Sequence, residues 1–341
     1  MTQHSSYLRN VFLSTVFAVS SVACSGPAPS AQEIINEPQS SPAVQTVYSL
    51  PAAVQNFYMD GQAPQRCATI DGQGTTSPIV ADSVREISTT LNRFPLGHAA
   101  VLDLKKSGTV LCFESGPIAD NVQGVVRHAE YLRERNMFRV TDADPWQVMH
   151  EWKHKKDDIN FNNFFYTPRS AVLMLRFSEA GAYTFEAMAR HEAQTYGVSV
   201  PPYPAGSHIN QVERAYAATL GRGGTKEQAW RAAFDTTFNI GMLSGYTDHV
   251  LGAYQQAVTF APISQNPNFA KTVVSDEALI KVALPPGWAV EAFRRTGNSE
   301  VTKDLTYVGN NLSQEEQLQN LERTLEKKPE PAPAALPSPV N

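Results

Sequence analysis

The chain has 341 residues, 42% of them hydrophobic and 18% charged, with a formal net charge of −5. A mildly acidic balance without a basic patch argues against nucleic acid as a partner. The length left after a leader, a tether and a tail are set aside, roughly 270 residues, suits one elaborated domain.

Residues 1–23 have a polar start with one positive charge at Arg9, then an apolar run from Val11 to Ala23. That run is too short for a membrane span and the right length for a secretory signal. Ser21-Val22-Ala23 supplies the small residues a signal peptidase needs, and Cys24-Ser25-Gly26 follows, which resembles a bacterial lipoprotein site with Cys24 acylated. Ser21 stands where such sites usually have leucine, and plain cleavage is the alternative. Loss of Arg9 with the leader moves the net charge from −5 to −6. Residues 24–50, rich in Pro, Ser, Ala and Gln over most of their length, read as a tether. The expected location is therefore exported and periplasmic, with a membrane anchor at Cys24. Setting Cys24 aside leaves Cys67 and Cys112, and in an oxidising compartment an even pair predicts one disulfide, worth about 4 kcal/mol in the chain-entropy model. Neither lies in a Cys-x-x-Cys spacing, which weakens a metal-ligand role.

The main domain is expected over 51–311, with its core at about 82–258. Asp82 to Leu91 reads as a helix. Ala99 to Leu104 and Thr109 to Glu114 read as a hairpin across Lys105 to Gly108. A helix or loop over 119–128 leads to a second hairpin, Ala129 to Leu132 and Met137 to Thr141, around the polar run Arg133-Glu134-Arg135-Asn136. Asp144-Pro145-Trp146-Gln147 then gives an N-cap aspartate, a first-turn proline and a glutamine three residues after the cap, so a helix starts here.

That helix carries His150-Glu151-Trp152-Lys153-His154. Residues four apart share a helix face with Cβ atoms about 5–6 Å apart, which lets two imidazoles reach one ion. Glu151 lies to the side, where it can reach a water at the metal's open position and act as general base. Lys153, Lys155 and Lys156 surround His154, and ammonium groups disfavour a bound cation unless they point away. Thr167-Pro168 reads as another cap followed by a first-turn proline, opening a helix over about Arg169 to Tyr196 that carries Glu179-Ala180-Gly181-Ala182. Glu179, Glu186 and His191 on this helix are candidates for a third ligand. Gly181 is unusual in a helix interior, at about 1 kcal/mol relative to alanine.

After the Pro-rich break Val200 to Gly206, helices are expected near Ser207, at Thr225 with Gln228 in capping-box position, and at Thr247. Phe260 to Asn311 reads as scattered short strands and turns. Ser313 to Lys328 has leucines at 318, 321 and 325, one narrow apolar stripe that packs loosely on the domain or binds a partner. Residues 312–341 as a whole form a charged helix and a Pro-rich disordered tail. Strands first and helices after is an α+β order.

The His-Glu-x-x-His motif followed by Glu179-Ala180-Gly181-Ala182 resembles the gluzincin group of zinc metallopeptidases. In that group Glu-x-x-Ala or Glu-x-x-Asp on a second helix supplies the third ligand. Order and spacing, including Ala229-Trp230-Arg231-Ala232-Ala233-Phe234 on a later helix, are similar to a small, largely uncharacterised family of bacterial metallopeptidase-like proteins, over about Val84 to Ala257. The resemblance implies a zincin-like domain: N-terminal hairpins, then the active-site helix, the glutamate helix and further helices. It also implies Zn²⁺ held by His150, His154 and Glu179, with Glu151 as base. The lysines and Gly181 depart from the pattern.

The function expected is hydrolysis of peptide or peptide-like amide bonds in a peptide or protein substrate. The alternative is a catalytically inactive envelope lipoprotein serving as a binding or scaffold module. A cell-wall amidase shares the metal chemistry and differs only in substrate. Tyr246, His249, His208 and Tyr216 are candidates for oxyanion stabilisation, with nothing in the sequence to rank them.

Overall fold

The computed structural model describes residues 50–58, 61–116, 118–119, 126–127, 129–157, 164–241, 243–309 and 311–326. The leader, Cys24, the tether up to residue 49 and the tail from 327 lie outside them. The architecture is mixed α+β, mostly helical, with a small four-stranded sheet and a two-stranded one among the described residues. Among the described residues no helix is long and apolar enough to cross a membrane.

Strands β1 (Cys67–Thr69), β2 (Val110–Phe113), β3 (Ala129–Leu132) and β4 (Met137–Val140) form a sheet in the order β1-β2-β4-β3. β2 and β4 run parallel, with Leu111 opposite Phe138, and the outer pairs are antiparallel. β3 is thus an edge strand, joined to β4 by the expected turn over Arg133 to Asn136, where Asn136 adopts φ 47°. Side chains alternate between faces along a strand. Leu111, Phe113, Phe138 and Val140 enter the main core, while Cys67, Val110, Cys112 and Met137 join a smaller cluster with Leu50, Val54 and Ala63. Cys67 and Cys112 are directly opposed on β1 and β2 and form a disulfide.

Helix α1 (Pro78–Leu91) is capped by Ser77 and buries Val80, Val84, Ile87 and Leu91. Helix α2 (Pro95–Ser107) replaces the first strand of the first expected hairpin, whose second strand is present as β2. The apolar run Ala99 to Leu102 suggested a strand, but Pro95 is pre-set for a first helical turn. Gly97, Ala100, Val101 and Leu104 are buried at helical spacing, and Gly108 closes the helix in the left-handed region at φ 63°. The residues read as a turn are its last turn and C-cap. Over 119–128, Ile118–Ala119 pairs with Val126–Arg127, and the residues between lie outside the described set.

The longer helices that follow among the described residues are α3 (Pro145–Asp157), α4 (Pro168–Thr195), α5 (His208–Gly221), α6 (Lys226–Asn239), α7 (Ser244–Thr259), α8 (Asp276–Ala283) and α9 (Leu312–Glu326). Ser207 and Thr225 cap α5 and α6 as expected, the latter with a full capping box. α7 begins at Ser244, three residues before the expected Thr247, which is buried inside it. The stretch 260–311 is helical and irregular rather than stranded, with α8, one-turn helices and an isolated bridge between Tyr166 and Thr272. Ser275 caps α8, and Leu279, Ile280, Val282 and Ala283 give it a buried face. α9 docks firmly: Leu318 and Leu321 enter the main core, Gln314 bonds Ser244 O and Asp248, and Arg169 pairs with Glu315 at 2.8 Å.

α4 is the spine. Every residue from Ser170 to Arg190 is buried, with α3, α5, α6, α7 and α8 packed around it. A helix buried on all sides is ordinarily apolar, yet this one carries Glu179 and Glu186 in its centre. Buried charges need partners or a metal. Gly181 is explained by the same packing: a Cβ there would lie 2.9 Å from both the Cα and the carbonyl carbon of Ala283, and closer still to its oxygen.

Candidate metal centre

α3 starts where the sequence directs it. Asp144 Oδ1 accepts from Trp146 N at 2.9 Å, and Pro145 takes the first helical position. The start fixes the phase that turns His150 and His154 toward α4. On α4, Thr167 accepts from Ser170 N at 3.3 Å, and Glu179 falls three turns further along, opposite the two histidines.

The three side chains converge. His150 Nε2 and His154 Nε2 are 3.2 Å apart, His154 Nε2 is 3.4 Å from Glu179 Oε1, and His150 Nε2 is 3.6 Å from Glu179 Oε2. A tetrahedral zinc site with bonds of about 2.0–2.1 Å has ligand-to-ligand edges of about 3.3–3.4 Å. The observed separations are close to such edges, with a different Glu179 oxygen turned to each histidine, and one ligand atom from each residue lies within 4.8 Å of the others. His150 and Glu179 are buried and His154 is partly exposed. Glu179 Oε2 is buried and has no hydrogen bond of good geometry, as a ligand oxygen awaiting a metal would be. Two imidazoles, a carboxylate and these distances fit a divalent zinc ion.

Without metal, the same groups share protons. Burial alone would depress His150, but the facing carboxylates of Glu179 and Glu186, with the charge of Glu151, outweigh it and push it up to about 10. Burial alone would raise Glu179, but the charges of and hydrogen bonds to the two histidines bring it down to about 2. A metal ion bound here would replace the proton.

Outer groups orient the ligands. Glu186, a competitor for the third-ligand position, sits instead behind His150, with Oε2 3.4 Å from Nδ1 and Tyr203 donating to its other oxygen. That is a carboxylate–histidine arrangement, which favours Nε2 as the metal-facing nitrogen. His191 lies elsewhere on α4, edge-on to Tyr216 at 5.5 Å. His154 Nδ1 is 3.1 Å from Ser178 Oγ, which is 3.2 Å from Asp157 Oδ2. Of the oxyanion candidates, Tyr246 reaches the cluster, bonding Glu179 and lying 3.0 Å from the Tyr183 hydroxyl. Burial, followed by the Glu179 charge, raises Tyr246 well above its ordinary value, so it stays a neutral donor. His249 is buried on the same helix, His208 is exposed at the start of α5, and Tyr216 packs on His191.

Of the three lysines Lys156 is exposed, whereas Lys153 is fully buried and Lys155 largely so. Acids neutralise them. Lys153 is fully buried, paired with Asp157 and donating to Val282 O at 2.7 Å. Lys155 and Lys156 reach Asp103 on α2 at 3.2 and 3.0 Å, and Trp152 Nε1 donates to the same carboxylate.

Glu151 is buried and lines a small cleft beside His150, with Gln147, Glu186, Tyr203 and Ile209. Ala129, the first residue of the edge strand β3, forms part of its wall. Sequence reading missed Ser178, Asp157 and Tyr183. The signals were faint: Ser178 adjoins Glu179, Asp157 is four residues after Lys153, and Tyr183, whose ring is 4.6 Å from that of His150, is one turn after Glu179. Compared with protein-family models, curated proteins and solved structures, the chain shows no significant match.

Proposed function

We propose that the protein is a zinc-dependent metallopeptidase with a zincin-like domain. The observation that carries this reading is the convergence of His150 Nε2 and His154 Nε2, 3.2 Å apart, on the Glu179 carboxylate, with Oε1 3.4 Å from His154 and Oε2 3.6 Å from His150, beside a cleft lined by Glu151. A zinc ion held there supplies Lewis-acid activation of a water molecule and of the scissile carbonyl. Glu151 takes the proton from the attacking water and returns it to the leaving amine as the C–N bond breaks. Glu186 and Ser178 hold the two imidazoles with Nε2 forward, and Tyr246 holds Glu179. β3, the outermost strand of the sheet among the described residues, begins at the cleft, where an extended peptide would run alongside it. Export and attachment through an acylated Cys24 complete the reading and rest on the leader sequence alone.

The competing reading, a non-catalytic envelope protein, drew on the lysines around His154. Their pairing with Asp157 and Asp103 removes that motive. Glu151→Gln separates the two. In the peptidase it leaves zinc bound and lowers turnover of a mixed peptide pool by several orders of magnitude, and a Gln variant with full activity contradicts the assigned base.

A further inference from the structure

Lys153 is the second residue after the general base in the motif, on a helix turned toward a cation site, and it is fully buried. Its ammonium makes two contacts: the carboxylate of Asp157 one turn along α3, and Val282 O on α8 at 2.7 Å. Asp157 uses its other oxygen to accept from Ser178 Oγ at 3.2 Å. With its proton committed to Asp157, the Ser178 hydroxyl is left as acceptor toward His154 Nδ1 at 3.1 Å. His154 Nδ1 therefore carries the proton, and Nε2 presents its lone pair to Glu179 and His150. A continuous line of polar contacts runs from the metal-facing nitrogen to the backbone of α8. On the adjoining face of α4, the bare backbone of Gly181 lies against Ala283, so α8 is pressed on the site at two consecutive residues.

We propose that Lys153 and Asp157 are positioning residues of the metal centre. As a buried ion pair acting through Ser178, they fix the tautomer of His154 and fasten the active helix to α8, so that metal binding and docking of α8 are coupled. The inference rests on the metallopeptidase reading for the metal, and not for the activity. The pair's location explains why a lysine is tolerated here. Its charge is spent on Asp157, and Asp157 in turn makes Ser178 an acceptor for the histidine. Breaking one partner of such a pair strands the other charge in the core, whereas replacing both with apolar groups of similar volume keeps the fold.

The test compares wild type, Ser178→Ala and the double variant Lys153→Met/Asp157→Leu. Zinc affinity is measured by competition with a chelating indicator, and the visible spectrum is recorded with Co²⁺ in place of zinc. Both variants should bind zinc roughly 10–100-fold more weakly, the usual cost of losing an outer partner of a ligand histidine. Their Co²⁺ ligand-field bands should shift. A purely structural role would lower the melting temperature of the metal-free protein and leave affinity and spectrum unchanged, and that result overturns the proposal. If the double variant does not fold, Ser178→Ala, which removes one hydroxyl, decides alone. Hydrogen exchange over 276–283 gives the coupling directly: zinc should slow it in wild type, and no effect of zinc there overturns the coupling. A wild type that takes up no zinc overturns the metallopeptidase reading and this inference with it, whereas wild type and variants binding zinc alike overturns the inference only.

Discussion

Gly181 shows at the scale of one residue how packing overrides local preference. Alanine in a helix interior is favoured over glycine by about 1 kcal/mol, and a reading of propensity alone makes Gly181→Ala stabilising. The backbone of Ala283 occupies the space a Cβ needs, and backbone cannot yield as a flexible side chain does. Gly181→Ala should therefore destabilise the protein, by roughly 1–3 kcal/mol as overpacking usually does, and a urea titration measures it. An unchanged or raised midpoint would show that α8 is not seated against α4 as described. The same scale separates the roles of the two glutamates on α4. Glu179 and Glu186 are seven residues apart and share a helix face, so the sequence left both open as ligands. The structure assigns them different atoms: Glu179 faces the Nε2 atoms, and Glu186 faces His150 Nδ1.

Among the elements, the sheet and its disulfide form one unit. Cys67 and Cys112 join the antiparallel β1–β2 pair across 45 residues of chain that include α1 and α2. The double variant Cys67→Ala/Cys112→Ala should lose about 4 kcal/mol by the chain-entropy estimate, read as a lower urea midpoint. A loss under about 1 kcal/mol would place the stability of this region elsewhere. Legibility in the sequence divided by the range of the signal. The caps at Asp144, Thr167, Ser207 and Thr225, the β3–β4 hairpin and the spacing from His150 to His154 are local and could be read. α2 could not, because an apolar run of four residues fits strand and helix alike, and burial against α1 decided it. α8 and the Lys153–Val282 contact could not either, since they join residues 129 apart in sequence.

For the whole molecule, the His150–His154–Glu179 cluster links stability to pH. In the metal-free protein His150 is raised to about 10 from 6.5, and Glu179 is lowered to about 2 from 4.5. A raised base stabilises fully below its unfolded value and loses that contribution as pH climbs through its folded value. A depressed acid does the reverse. Their joint contribution is therefore complete between pH 4.5 and 6.5, fading toward 10 on one side and toward 2 on the other. Zinc must displace the His150 proton, so its affinity increases with pH over the same alkaline span. Thermal melts with zinc and with EDTA should diverge as pH rises from about 6 to about 9. A zinc increment that is flat or shrinking over that range contradicts the assignment of His150.

The central claim is that His150, His154 and Glu179 hold one metal ion. Elemental analysis of the purified soluble protein tests it most directly, with His154→Ala and Glu179→Ala beside it and His191→Ala as a control. The account predicts about one zinc per chain in wild type and in the control, and essentially none in the other two. No zinc in wild type after reconstitution, or zinc retained when His154 and Glu179 are removed, would contradict it.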